Sequence, residues 1–197
     1  MRFINKSSEP EYLKVYKAKH PKGTYDDPEF KDFRPLLRHS LCEEQHHMCA
    51  YCCRRIEDNS SCCSVEHIEP RHGKVASAKS LNYDNMVATC NEKNTCGSHK
   101  HNEYDKEQFI SPLDKDCESK LRYNAFSGEI KVTDENEYTV DLLNLNEYRL
   151  IQIRRAIGDE LEQYLLSMDA DVFRKECMQA VVDKNGFEDY IEQYLEA

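Results

Sequence analysis

The chain has 197 residues, a length that fits one domain or a small domain with an appended one. Its net charge of −10 excludes a uniformly basic surface that would bind nucleic acid through charge alone. No apolar run approaches the roughly 18 residues that cross a membrane. The charged amino-terminal segment also lacks the apolar core of a secretory signal, so we expect a cytoplasmic protein. Most of the net negative charge lies after residue 134, where a solvated surface is the default interpretation and a face for a basic partner is the alternative.

Two helical segments are predicted first. Residues 9–19 can form a helix with Leu13 and Tyr16 among its apolar contacts, and a Pro-Lys-Gly run ends it. Residues 28–48 carry apolar side chains at roughly helical spacing, with a break near Pro35. This amino-terminal helical layer is expected to pack on the segment that follows it.

The middle of the chain is predicted to form short elements joined by loops. Cys49 and Cys52 enclose two residues, a spacing that favours a tight turn. The elements predicted after this turn are a strand over 62–68, a polar loop over 71–80, an extended run over 82–89, and a helix from Cys96 to about residue 107.

The last third of the chain is predicted to be mainly helical. Two strands over 128–132 and 138–140 come before it. The first helix has an apolar stripe at i, i+4 spacing, formed by Leu150, Ile153, Ile157, Leu161 and Leu165. Two further helices are predicted over 170–183 and 187–195, with a Lys-Asn-Gly run between them.

Cysteine and histidine are concentrated in one part of the sequence. Eight of the ten cysteines lie between Cys42 and Cys96, and seven of the eight histidines lie between His39 and His101. A disulfide scaffold would explain the cysteines but not the histidines that accompany them. The combination, with no secretory signal, favours metal binding.

Four cysteines are the predicted ligands of a structural zinc ion: Cys49, Cys52, Cys90 and Cys96. Four thiolates at about 2.3 Å in a tetrahedron form a closed structural site. Cys53, Cys62 and Cys63 compete with them, and spacing alone does not exclude a Cys52/Cys53 exchange.

An acid and a histidine, Glu66 and His67, lie between the two cysteine pairs. A neutral imidazole near pH 7 can take the proton of a water molecule that attacks a phosphodiester, so His67 is the candidate general base. In an extended segment Glu66 points to the opposite side and is a candidate ligand for a catalytic metal ion.

The order of these motifs resembles the HNH endonuclease family, whose core is a ββα-metal fold. More narrowly, the chain is similar to the HNH component of bacterial anti-phage systems of the Septu and retron type. The segments that carry the likeness are Cys49-Ala-Tyr-Cys52, Glu66-His67-Ile68-Glu69-Pro70, Asp84-Asn85-Met86-Val87 before Cys90, Met1-Arg2-Phe3-Ile4 with Pro10 and Leu13, and Leu143-Asn144-Leu145-Asn146 with Leu150 and Arg154.

The resemblance implies further site residues. Asn85 matches the family's middle Asn, which braces the loop and orients the base. The family places a second ligand of the catalytic metal after the second cysteine pair, where His99 and His101 are the candidates and the alternatives are Asn91 and Asn102. On a helix only one of the two histidines would face that metal, which is expected to be Mg²⁺ or another hard divalent ion.

The fold class that follows is α+β, a zinc-braced ββα-metal core with helices on both sides of it in the sequence. Residues 1–135 would form the nuclease core with its amino-terminal helices, and residues 136–197 a helical region that binds a partner. The resemblance implies that the protein is the effector of a defence complex and cleaves DNA or RNA. It also implies an ABC-type ATPase subunit as partner and, in retron-type systems, a reverse transcriptase with its DNA–RNA product. No membrane partner is expected. The rival interpretation is a non-catalytic zinc-binding interaction module.

Overall fold

The computed structural model describes residues 1–73, 80–133 and 136–197, and it confirms the α+β class. Two antiparallel strand pairs lie among short helices. In chain order the elements are α1 (Glu11–Lys19), α2 (Arg34–Glu44), β1 (Cys63–His67), β2 (Met86–Cys90), α3 (Cys96–Lys100), α4 (Cys117–Lys120), β3 (Leu121–Tyr123), β4 (Ile130–Val132), α5 (Tyr138–Leu142), α6 (Tyr148–Leu165), α7 (Ala170–Glu176), α8 (Met178–Asn185) and α9 (Glu188–Leu195). No helix among the described residues is long and apolar enough to cross a membrane.

The amino-terminal layer contains the two helices that the sequence predicts. A 3-10 helix, Pro28–Phe33, leads directly into α2, and Pro35 lies in the first turn of α2. Proline is tolerated there because its missing N–H would have no helical partner. The break predicted near Pro35 is therefore the start of α2.

The pair β1–β2 forms the centre of the fold. The strands run antiparallel with Cys63 opposite Cys90 and His67 opposite Met86. All five residues of β2 are buried. Its outer edge is not left unpaired, because the Gln45 side chain accepts a hydrogen bond from Ala88 N at 2.7 Å and donates one to Ala88 O at 2.8 Å.

Helix α3 is shorter than the sequence predicts. It ends at Lys100, and His101 has a φ of 50°. The residues from His101 to residue 108 are mostly exposed, so a longer helix would have no face to bury. The polar loop predicted over 71–80 falls largely on residues 74–79, which lie outside the described residues.

The strand predicted over 138–140 is wrong, because these residues begin helix α5. The Asn136 side chain accepts a hydrogen bond from Tyr138 N at 3.1 Å, and the buried Thr139 hydroxyl accepts one from Ile110 N at 2.6 Å. Strand β4, which lies within the predicted strand 128–132, pairs instead with β3, an element that the sequence analysis missed.

The carboxyl-terminal helices include the predicted apolar stripe of α6, but one predicted helix is divided in two. Leu150, Ile157 and Leu161 of α6 are buried, as the i, i+4 spacing predicts. The single helix predicted over 170–183 is two helices, α7 and α8, with Cys177 between them.

Backbone contacts join the end of α8 to the cysteine-rich turn. Arg55 N donates to Asn185 O at 3.1 Å, Phe187 N donates to Cys53 O at 2.6 Å, and Arg54 forms an isolated β-bridge with Gly186. These bonds tie the two predicted regions together. The predicted domain boundary between residues 135 and 136 stays a prediction.

Candidate metal centre and active site

The four cysteines predicted as zinc ligands form one buried group. The sulfur atoms of Cys49, Cys52, Cys90 and Cys96 all lie within 4.8 Å of one another. Cys49 Sγ lies 3.8 Å from Cys96 Sγ, and Cys52 Sγ lies 3.9 Å from Cys90 Sγ. A regular tetrahedron with metal–sulfur bonds of about 2.3 Å has sulfur–sulfur edges of about 3.8 Å. The two sulfur–sulfur distances match this value, so the group suits a tetrahedral metal ion.

Local backbone geometry separates Cys52 from its neighbour Cys53. Cys53 has a φ of 60°, and its N–H donates to Cys49 O at 3.0 Å, which closes the turn. Cys90 N donates to Cys49 Sγ at 3.3 Å, a backbone bond that favours a thiolate at this position. The competing Cys53, Cys62 and Cys63 lie outside the group.

The pKa shifts of Cys49, Cys52 and Cys96 indicate a site that holds negative charge poorly without a cation. Burial raises the pKa of Cys52 and of Cys96 well above the ordinary value. Burial also opposes ionisation of Cys49, but hydrogen bonds from Cys52, Cys90 and Cys96 lower its pKa well below the ordinary value. The Cys49 thiolate is thus stabilised by its neighbours, and a bound cation would be needed to stabilise the thiolates of Cys52 and Cys96.

Glu66 lies on the face of β1 that meets α3. Its Oε1 accepts a hydrogen bond from Lys100 Nζ at 2.9 Å, and the Lys100 side chain is fully buried. Gly97 permits this approach, since a Cβ at that position would lie 3.0 Å from Glu66 Oε2. Burial raises the pKa of Glu66, and the Lys100 ammonium opposes that shift. The carboxylate therefore already has a cationic partner.

His67 ends β1 with a hydrogen bond that favours one tautomer. Its Nε2 lies 2.9 Å from the carbonyl oxygen of Ser80, which can only accept, so Nε2 carries the proton and Nδ1 is the basic nitrogen. The edge of the imidazole meets the Tyr25 ring at a centroid distance of 5.0 Å. Burial lowers the pKa of His67 to about 4, so the ring is neutral at pH 7.

Asn85 connects the loop after β1 to the start of β2. Its Oδ1 accepts from Glu69 N at 2.8 Å, and its Nδ2 donates to Glu69 O at 3.0 Å. Asn85 O also accepts a hydrogen bond from Ile68 N at 3.0 Å. The side chain is buried, and these bonds hold the backbone that follows His67.

The two histidines after the second cysteine pair lie apart from Glu66 in their contacts. His99 Nδ1 lies 2.9 Å from Leu142 O, and the exposed His101 follows the end of α3. Across the described residues, the four cysteines are the only group of three or more potential metal ligands in close proximity. A catalytic metal held by Glu66 with His99 or His101 stays a prediction.

Two residues at this site were absent from the sequence-based list of site residues. Lys100 neutralises Glu66, and Tyr25 packs against His67. No local signal indicates Tyr25, because its position beside His67 depends on how the amino-terminal layer folds back on β1.

The low pKa of His67 predicts a pH dependence of stability. An unfolded histidine has a pKa of about 6.5, and the folded pKa is about 4, so the unfolded state binds more protons between these values. The stability contributed by the neutral ring is fully present above pH 6.5 and is lost as the pH falls toward 4. The loss amounts to about 2 kcal/mol at pH 5. We expect urea unfolding at pH 7 and pH 5 to show this loss in the wild type and a smaller one in His67→Gln. Equal losses in the two proteins would contradict the burial of a neutral imidazole.

Comparisons with known proteins add one named relative. The chain is 28% identical to "Retron Ec83 putative HNH endonuclease" of Escherichia coli over 210 aligned positions, which cover 80% of this chain and 79% of that protein. No protein-family model matches the chain. The relative's name supports the HNH class that the motif order resembles.

Proposed function

We propose that the chain is a metal-dependent HNH endonuclease with a structural zinc ion in its cysteine group. The observation that carries the proposal is a neutral imidazole, His67, whose Nε2–H is held by the Ser80 carbonyl at one end of a strand pair. The other end of that pair carries Cys90, one of the four buried cysteines. The name of the Escherichia coli relative points in the same direction.

The chemistry assigned to the protein's own residues is hydrolysis of a phosphodiester. His67 Nδ1 accepts a proton from the attacking water molecule, whose oxygen then bonds to phosphorus while the bond to the leaving 3′-oxygen breaks. Asn85 holds the backbone after His67, and so keeps the imidazole in place. When bound, a hard divalent ion such as Mg²⁺ would polarise the phosphate and stabilise the leaving oxygen, with Glu66 as its proposed ligand.

The proposed setting is an anti-phage defence complex of the retron or Septu type. The relative is named for a retron, and the resemblance of the motifs suggests an ABC-type ATPase subunit as partner. In a retron the partners would also include a reverse transcriptase and its DNA–RNA product. The net charge of −10 is unfavourable for binding nucleic acid, so we expect a partner to supply much of the affinity for it.

The test is cleavage of DNA and RNA in the presence of Mg²⁺ or Mn²⁺ by the wild type and by His67→Ala. Removal of a general base lowers the rate by a factor on the order of 10²–10⁴, so the variant should be almost inactive with unchanged zinc content and fold. His47→Ala is the matched control, since His47 pairs with Glu43 on the surface. It should cleave at the wild-type rate.

Two outcomes would overturn this assignment. Cleavage by His67→Ala at the wild-type rate would show that His67 is not the base. Absence of cleavage by a folded, zinc-loaded wild type together with its copurifying partners would favour the rival function, a non-catalytic zinc-binding interaction module.

A further inference from the structure

Two cationic side chains lie directly after the proposed catalytic loop and share one carboxylate. Arg71 Nη1 and His72 Nε2 both contact Oδ2 of Asp26, the latter at 3.1 Å. Asp26 comes from the amino-terminal layer, 45 positions earlier in the chain than Arg71. The contact of its carboxylate with Arg71 and His72 therefore depends on the tertiary fold.

The Tyr25 ring connects this cationic pair to His67. The Arg71 guanidinium lies 4.6 Å from the centre of the Tyr25 ring, and the same ring meets the edge of His67. Ser80 adds a second link, because its hydroxyl accepts from Tyr25 N at 2.9 Å while its carbonyl binds His67 Nε2. Arg71 is thus held within two side-chain contacts of the candidate base.

The Arg71–Asp26 pair is open enough to be exchanged. The side chains are 23% and 47% exposed, respectively. Ion pairs with this exposure contribute about 0–1 kcal/mol, so their replacement by another anion costs little. The planar guanidinium fork matches a phosphate group as well as it matches a carboxylate.

We propose that Arg71, assisted by His72, binds a phosphate of the nucleic-acid backbone, and that Asp26 occupies this phosphate position until substrate displaces it. The inference rests on the proposed nuclease function and adds a binding site to it. Arg71 is a positioning residue here, because it would hold a phosphate near His67 and take no part in proton transfer. Asp26 keeps the two cations oriented in the free protein and competes with the phosphate for them.

The chain contains a matched control for this arrangement. Arg38 and His39 contact the two carboxylate oxygens of Asp58 at 2.8 and 2.9 Å. The residue types are the same, but this second cluster lies by α2 near the Cys63 end of β1, whereas His67 is at the other end. Loss of Arg38 removes the same charge without touching the proposed phosphate position.

The experiment measures equilibrium binding in a His67→Ala background without divalent cation, so that cleavage does not enter. The probes are a short fluorescein-labelled DNA duplex and an RNA of the same sequence, followed by fluorescence anisotropy over a range of salt concentrations. Arg71→Ala should weaken binding about tenfold and reduce the slope of log Kd against log salt by about one. Asp26→Asn should tighten binding about threefold, because it removes the competing charge. Arg38→Ala and Asp58→Asn should each change Kd less than twofold.

Each variant can overturn the inference. If Arg71→Ala binds like Arg38→Ala, Arg71 does not contact phosphate. If Asp26→Asn weakens binding, Asp26 supports the site and does not compete with substrate. The readout is binding, so a negative result for Arg71 does not affect the cleavage test of His67. Equally, a protein that proves inactive as a nuclease can still be tested for the phosphate site.

Discussion

Cys90→Ser is expected to release the metal ion and unfold the protein. Cys90 is the last residue of the fully buried strand β2, and its sulfur is one of the four in the metal group. Structural zinc sites of this kind contribute about 10–16 kcal/mol of binding free energy, which is also folding free energy. That contribution is as large as the whole stability of a typical domain, about 5–15 kcal/mol. The variant should therefore be insoluble or unfolded, whereas the wild type should carry about one zinc ion per chain.

The measurements are metal content by mass spectrometry and thermal unfolding with and without a chelator. Cys177→Ser is the control, because Cys177 is half-buried beside Met168 and lies outside the metal group. Its metal content should equal that of the wild type. Soluble, folded protein that contains no zinc, or a folded Cys90→Ser variant that keeps it, would reject the assignment.

Gly186→Ala is expected to destabilise the protein by about 3–5 kcal/mol. Gly186 has a φ of 75°, and a Cβ at this position would overlap backbone atoms of Cys53 and Arg55 and lie 2.7 Å from the carbonyl carbon of Arg54. Backbone atoms of the cysteine-rich turn cannot move aside without disturbing Cys52 and Cys49. The defect should appear as a lower midpoint of urea unfolding and as easier removal of zinc by a chelator.

Gly73→Ala separates the conformational strain from the overlap. Gly73 also has a positive φ, 90°, but the nearest atom to a Cβ there is the Asn102 side chain at 3.2 Å. This control should cost about 1 kcal/mol from the backbone conformation alone. Equal effects of the two substitutions would show that the contact between α8 and the cysteine-rich turn is unimportant for stability.

The sequence predicts those parts of the fold that are encoded by local periodicity. The stripe of α6 and the start of α2 are of this kind, since burial of one helix face determines the stripe and Pro35 favours the first turn of α2. Residues 138–140 show the limit. Three residues with mixed apolar and polar character fit a strand or a helix turn, and the buried hydrogen bond from Ile110 to Thr139 is a tertiary interaction that no local pattern contains.

The candidate site shows the same division. The cysteine pattern predicted the four sulfur atoms that the structure brings together, although spacing alone left Cys53 as an alternative to Cys52. Spacing could not show that Lys100 would be buried against Glu66, or that Tyr25 and Asp26 would come from the amino-terminal layer to lie near His67. These partners are distant in sequence, and only the packing of α2 and the preceding loop on the strand pair determines them.

The strand pair β1–β2 connects the cysteine group to His67, because each lies at one end of it. Cys63 lies opposite Cys90, a member of the cysteine group, at one end, and His67 lies opposite Met86 at the other, about 13 Å away at the rise of a β-strand. Because β2 is buried along its whole length, it cannot slip to compensate for a lost sulfur ligand. The strand pair therefore couples the cysteine group to the position of the His67 imidazole. Under the proposed function, a newly made chain without its ion would have a displaced general base, so metal uptake would have to precede activity.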